Sequence, residues 1–306
     1  MSVVRLISAK SDDIRKMSGR DLKESIKKSE GRVIMAQHLL FASTGLVRGI
    51  TNTELNKAFG ADMILLNTYN FDDSAKNLGL QGNTVQDLKD KVGVPVGIYL
   101  GCPGKGSTQD DQIYDKNGML ASIEHIKKLK ELAPDYVILG GNPGTGTSLE
   151  DIISGTKMVR KILGPDTLIF AGKWEDGVDE KVLGDPLATY DTKEVIKRLI
   201  EAGADVIDFP APGSRSGISV RHIQELIEFV HSYPKETLAM SFLDSSLEGS
   251  DTETIREIAL QIKETGADVI AIGDGGFSGC PIPENILQLS TSIKGKPYTY
   301  FRMASH

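Results

Sequence analysis

Eight short apolar runs rich in β-branched residues punctuate the chain: Val33 to Leu40, Asp62 to Leu66, Pro95 to Leu100, Asp135 to Leu139, Thr167 to Ala171, Asp205 to Phe209, Thr237 to Phe242 and Asp268 to Ile272. They recur every roughly 30 to 40 residues, the length of one βα unit, which leaves room for a helix and two turns between runs. Each run is apolar throughout rather than alternating, so both faces of the strand it predicts are covered, as in a parallel sheet wrapped by helices.

The intervening stretches carry helix signals. An N-cap side chain and an acidic residue three positions later satisfy amide groups that the first helical turn leaves open. Thr51 with Glu54, Ser148 with Asp151, Asp191 with Glu194 and Ser250 with Glu253 fit that spacing, and Pro283 with Glu284 fits a proline at the first helical position. Amphipathic spacing follows in Ile123, Ile126, Leu129 and Leu132, and again in Ile255, Ile258, Leu260 and Ile262.

The joint from helix to strand repeats: Gly60-Ala61-Asp62, Gly203-Ala204-Asp205 and Gly266-Ala267-Asp268, with Ala133-Pro134-Asp135 as a variant. Glycine ends a helix in the left-handed conformation, and a short polar residue then opens the next buried strand. Eight units with one repeated joint favour a single (β/α)8 TIM barrel over a doubly wound sheet, which usually has fewer strands. No Pro/Ser-rich or low-complexity linker interrupts the 306 residues, so residues 1–306 read as one domain. Residues 1–31 form a helical extension, with a helix over Arg20 to Lys28, that plugs or caps the bottom of the barrel. The aromatic tail 297–306 docks on the body or on another subunit; its own chain is the favoured surface, and a homo-oligomer stays open.

The net charge of −7, from 35 basic and 42 acidic residues, comes with no basic block, which argues against nucleic acid as a partner. No run approaches 18 apolar residues, which argues against a membrane span. Two cysteines, Cys102 and Cys280, without C-x-x-C spacing, and a beginning without an apolar leader point to the cytoplasm. The five histidines are too scattered for a short metal motif, so any metal would be held by residues distant in sequence.

In a barrel the active site lies at the carboxyl ends of the strands. The segments after the runs hold most of the unusual residues, whereas the opposite joints are short and monotonous. The clearest signal is Gly273-Asp274-Gly275-Gly276-Phe277-Ser278-Gly279, where successive glycines let backbone N–H groups converge on an anion. With Gly275, Gly276 and Ser278 after the eighth run, Ser245 and Ser246 after the seventh and Arg215 after the sixth, a phosphate is the expected ligand there. On these G-A-D-V-I joints and the G-D-G-G-F-S-G loop the chain resembles the phosphate-binding (β/α)8 barrels that include sugar-phosphate aldolases and epimerases. A fainter similarity is to phosphonomutase-like bacterial barrels, a group in which magnesium and carboxylates act on small acids. The K-K-C-G-H motif of those lyases and the D-x-D-x-[TV] signature of haloacid-dehalogenase phosphatases are absent, and Gly104-Lys105-Gly106-Ser107-Thr108 does not complete a Walker A loop.

Three residues are candidates for catalysis. Lys173, after the fifth run, forms a Schiff base or holds an anion as a cation. Asp208 lies within the sixth run, where an unpaired carboxylate is costly; it needs a metal, Lys173 or Arg215 as partner and is placed to move a proton beside a carbonyl. His38, at the end of the first run, shuttles a proton or lines the mouth. Asp208, Asp244, Asp274 and Glu175 together offer hard oxygen ligands to magnesium or manganese, although no cofactor is required by the alternative scheme. Cys102 lacks a local base and reads as a packed thiol. The expected function is an enzyme acting on a small phosphorylated or polyanionic carbonyl compound, by aldol-type cleavage or isomerisation through an enolate. A divalent-metal lyase or mutase and a non-catalytic, metabolite-binding regulatory barrel are the alternatives.

Overall fold

Each of the eight apolar runs forms a parallel strand: β1 (Val33–Leu39), β2 (Met63–Asn67), β3 (Val96–Gly101), β4 (Tyr136–Gly140), β5 (Leu168–Gly172), β6 (Val206–Pro210), β7 (Leu238–Leu243) and β8 (Val269–Ile272). They pair in chain order and the ring closes between β8 and β1, with Val33 opposite Val269 and Ala36 opposite Ile272. The computed structural model describes residues 3–104, 116–175, 177–274 and 279–305. Helices lie between the strands, so the fold is a (β/α)8 TIM barrel.

Successive strand residues point to opposite faces. One face of each strand, including Val33, Met35, Leu65, Tyr99, Tyr136, Ile138, Phe170, Val206, Met240, Phe242 and Ala271, fills the interior as one buried cluster. The other face, including Ile34, Ala36, Ile64, Ile98, Val137, Ile207 and Ile270, packs against the helices in a second cluster. Leu6, Ile7, Ile14, Leu22 and Ile26 join the interior cluster, so the segment before β1, with its helix Gly19–Lys27, closes the amino-terminal end of the barrel.

The repeated joint has a physical job. Gly60, Gly203 and Gly266 all have positive φ, and Ala133 holds the same left-handed position in the variant. The aspartate that follows reaches sideways to an N–H at the start of the preceding strand: Asp62 to Ile34, Asp135 to Val96, Asp205 to Ile169 and Asp268 to Ala239, at 3.0, 2.8, 3.1 and 2.9 Å. Each such carboxylate also meets a cation or an imidazole: Lys294 and Arg302, Lys89, Arg20 and Arg160, and His231, respectively. One motif therefore ends a helix, starts a strand and stitches neighbouring strands together.

Thr51 and Ser148 form the reciprocal caps their spacing predicts. Ser250 does not cap its helix; Asp251, one residue later, accepts from Thr254 N instead. Ile123 and Leu260 lie exposed, because the buried stripe of each helix is narrower than the run of apolar positions suggests. After β8 the helix Pro283–Ala304 kinks at Gly295 (φ 76°), and its second part buries Thr299 and Arg302 against the body.

Candidate functional site

At the carboxyl end of the barrel, glycines at the ends of β4 and β5 and just past β8 allow close approach of neighbouring groups. A methyl at Gly140 would lie 3.0 Å from both the Trp174 ring and the Tyr99 hydroxyl. One at Gly172 would strike the Asp208 backbone, and one at Gly273 would strike Oε2 of Glu248. Trp174, just past β5, lies flat on Phe242 of β7 (ring centroids 5.0 Å, interplanar 3°) and meets Tyr99 edge-on at 6.0 Å. The aromatic trio spans three strands, and Trp174 is almost wholly buried. Beside it the interior positions Gln37 and Asn67 bond to each other, Asn67 Nδ2 donating to Gln37 Oε1 at 3.1 Å.

Asp208 shares the interior face of β6 with Val206 and sits in register with Gly172 on β5 and Met240 on β7. Phe242 lies two residues further along β7, so the Trp174–Phe242 stack is on the mouth side of Asp208. Asp208 is fully buried, and neither carboxyl oxygen has a hydrogen-bond partner among the described residues. Burial pushes its carboxyl well above the ordinary range, because nothing among the described residues around it offsets the cost of a buried charge. Neither expected partner reaches it. Arg215 turns to Asp244 instead (Nη2 to Oδ2, 2.8 Å) and donates from Nε to the Trp174 carbonyl at 3.0 Å. Lys173 Nζ donates to the Thr147 carbonyl at 2.6 Å, tying the segment after β5 to the one after β4.

Arg215 and Asp244 thus form a pair at the mouth, in which Asp244 is buried and Arg215 remains part-exposed. Burial pushes the Asp244 carboxyl up to about 6, against the charge and hydrogen bond of Arg215. Asp244 Oδ1 is buried without a partner among the described residues. Ser245 and Ser246 begin a short 3-10 turn directly after Asp244, Ser245 half-buried and Ser246 exposed. Gly275, Gly276 and Ser278, expected to hold phosphate, lie outside the described residues.

His38 corrects one expectation. Position 38 has the parity of Ile34 and Ala36, so its ring leaves the barrel and packs between β1 and helix Asn52–Ala58, where Nδ1 meets Thr53 Oγ1 at 2.9 Å. Burial drives its pKa down to about 3, so it is a neutral packing group on the helix-facing side of β1. Counting strand parity from Ile34 predicts this; treating the strand end as part of the mouth does not. Cys102 is buried with its thiol pushed up by burial, and fills the space beside Gly155.

The expected metal ligands do not come together either. Asp208 aligns with Met240, four residues before Asp244, which puts the two backbone positions about 13 Å apart along the strand direction at the rise of an extended residue. Glu175 and Asp274 are half-buried. Among the described residues no three His, Cys, Asp or Glu side chains are grouped to hold a metal ion. With one Asp244 oxygen given to Arg215, the donor set does not fit a magnesium or manganese centre.

Residues not singled out for chemistry in the sequence turn out to build the mouth. Tyr99 and Trp174 are detectable as interior-parity aromatics, but the position of Glu248 over Gly273 has no local signature.

The family described as "Domain of unknown function (DUF7916)" matches residues 7–306. No curated protein matches the sequence. Among solved structures, a putative fructose-1,6-biphosphate aldolase from Coccidioides immitis overlaps 94% of this chain and 99% of its own, at TM-score 0.56 and 11% identity. An archaeal fructose 1,6-bisphosphate aldolase overlaps 90% and 100%, at TM-score 0.51 and 13% identity. A phosphoenolpyruvate phosphomutase from Streptomyces platensis subsp. rosaceus overlaps 85% and 82%, at TM-score 0.49 and 14% identity. For the two aldolases the likeness at such identities shows the shared barrel alone, and chemistry has to be argued from the site. Among the described residues no helix is long and apolar enough to cross a membrane.

Proposed function

Starting from a chain that belongs to the DUF7916 family and folds as a TIM barrel, we propose that it is an enzyme acting on a small phosphorylated or polyanionic carbonyl compound by proton transfer beside the carbonyl. The observation that carries this reading is Asp208: a fully buried carboxyl on the interior face of β6, with neither oxygen hydrogen-bonded among the described residues and its affinity for a proton raised by burial. A structural carboxylate in such a place is normally paired, because an unpaired one costs stability. A carboxyl that keeps its proton in apolar surroundings is suited to giving that proton to the carbonyl oxygen while the neighbouring carbon releases its own to solvent water, so that an enol forms, and to recovering the proton in the reverse direction.

The rest of the mouth supports this assignment. Arg215 is held by Asp244 and by the Trp174 carbonyl through Nη2 and Nε, which among the described residues leaves Nη1 to take the anionic group of a substrate. Gly275, Gly276, Ser278, Ser245 and Ser246 would extend that grip to a phosphate. Lys173, bonded to the Thr147 carbonyl, fits the cation that positions the loops after β4 and β5 better than a free Schiff-base amine.

The test is carbon-bound proton exchange. Incubating the full chain in D2O with a panel of ketose phosphates and 2-keto acids should wash deuterium into the position beside the carbonyl of at least one compound, followed by NMR. Asp208→Asn should slow that exchange by about 100-fold or more. Exchange that persists in the variant would remove Asp208 from the chemistry. One observation favours a second reading, a barrel that binds a metabolite without converting it: Asp208 has no exposed surface at all. Saturable binding with no exchange for any compound would select it.

A further inference from the structure

The opposite end of the barrel holds a second cluster of charge that the proposed reaction does not use. A cavity of about 420 Å3 opens between helix Gly19–Lys27, the end of helix Thr192–Ala202 and the start of β6. Arg20, Lys23, Arg160 and Lys235 line it, against two carboxylates, Asp205 and Glu201. Asp205 is saturated. It accepts two bonds from Arg20 at 2.6 Å, one from Arg160 at 2.6 Å and one from Ile169 N at 3.1 Å. Burial pushes this carboxyl up, but Arg20, Arg160 and Lys23 outweigh it and hold it below its ordinary value. Glu201 in turn receives the Tyr233 hydroxyl at 3.1 Å.

Arg160 also donates to the carbonyls of Gly203, Gly164 and Thr167 and Arg20 to that of Thr167, while Arg20 Nε is buried without a partner among the described residues. The two lysines are under-used. Lys23 Nζ is 3.5 Å from Asp205 and 3.4 Å from the Lys235 carbonyl, and Lys235 Nζ is 3.4 Å from the Ile200 carbonyl. Each ammonium has three donors, so both face the cavity with hydrogen-bonding capacity left over. Burial lowers the Lys23 pKa and Arg20 adds to it, while Asp205 and Glu236 pull the other way without offsetting it.

We propose that this cavity is a second anion site, taking a phosphate monoester or inorganic phosphate between Lys23 and Lys235, with Arg20 and Arg160 as its charged wall. Four cations against two carboxylates leave the lining itself with a surplus of positive charge, which Glu236 beside Lys23 and Asp166 beside Arg20 reduce from outside it and which an anion completes. Because the site is formed by the segment before β1 and the entry of β6, it lies at the end of the barrel away from Asp208 and Arg215, and does not depend on the reaction proposed there.

Inorganic phosphate is the probe, with the full chain followed by thermal unfolding and by isothermal titration. The wild type should show a saturable rise in Tm; the Lys23→Met/Lys235→Met variant should bind at least tenfold more weakly, and Lys23→Arg/Lys235→Arg should recover binding. Arg215→Met serves as the control for the mouth. The proposal falls if phosphate gives no saturable shift, or if the methionine variant binds as tightly as the wild type while Arg215→Met loses the effect. Should the methionine variant unfold early without ligand, the arginine variant and the Arg215→Met control still decide between the two ends.

Discussion

Arg302 donates from Nε to Asp62 Oδ1 at 3.0 Å across 240 positions of sequence, and so ties the helix that follows β8 to the entry of β2. Lys294 takes the other oxygen at 2.5 Å, and the same carboxylate accepts Ile34 N at the start of β1. Arg302 also donates to the Leu6 carbonyl, which brings in the segment that closes the barrel's amino-terminal end. One buried carboxylate thus joins both ends of the chain's path to the first two strands.

Removing that carboxylate should be expensive. Burial pulls Lys294 down to about 8 against the pull of Asp62, so in Asp62→Ala two enclosed cations lose their counter-charge. A loss of about 3–5 kcal/mol is expected for breaking such a pair from one side, read from urea unfolding midpoints. A change below about 1 kcal/mol would mean that water replaces the carboxylate.

Asp208→Asn should act in the opposite direction on stability. Below the ordinary carboxyl pKa of 3.8 the group is protonated both folded and unfolded; as pH rises, the unfolded chain ionises while the buried group keeps its proton. Folded stability contributed by this group is therefore full at low pH and is lost as pH climbs from 3.8 toward the raised value. Asparagine removes the penalty, so the variant should melt higher than the wild type at pH 8, with the gap narrowing toward pH 4, while proton exchange is lost. Lower stability at every pH would mark Asp208 as a structural group.

His38 sets an acid limit. Its pKa is lowered by burial from 6.5 to about 3, so between those values the unfolded chain binds a proton that the folded ring refuses. Stability from this residue is present above pH 6.5 and is lost as pH falls to about 3. Guanidinium unfolding at pH 7, 5 and 4 should show a smaller acid loss in His38→Gln than in the wild type, and equal slopes would contradict the assignment.

Trp174 is the single tryptophan of the chain and lies on the mouth side of Asp208, flat on Phe242. A substrate that reaches Asp208 from the mouth passes this aromatic layer, so binding of an active ketose phosphate or 2-keto acid should shift the tryptophan emission. Arg215→Met should weaken this signal's midpoint by at least about tenfold, the loss of one charge-assisted bond to an anion. An unchanged spectrum at saturation would mean that the ligand stops above the aromatic layer.

Strand number, strand limits and the recurring Gly-Ala-Asp joint were legible in the sequence because they rest on local rules: unbroken apolar runs need cover on both faces, and glycine alone enters the left-handed turn cheaply. Asp208 stood out for the same reason, as a charge inside an apolar run. Which groups meet across the barrel was decided by tertiary structure. Strand register sent Arg215 to Asp244 rather than Asp208, kept Asp208 and Asp244 on different levels, and strand parity turned His38 away from the mouth. A sequence states the periodicity of each strand, but ion pairs depend on how far each strand is shifted against its neighbour, and that shift is fixed only when the ring closes.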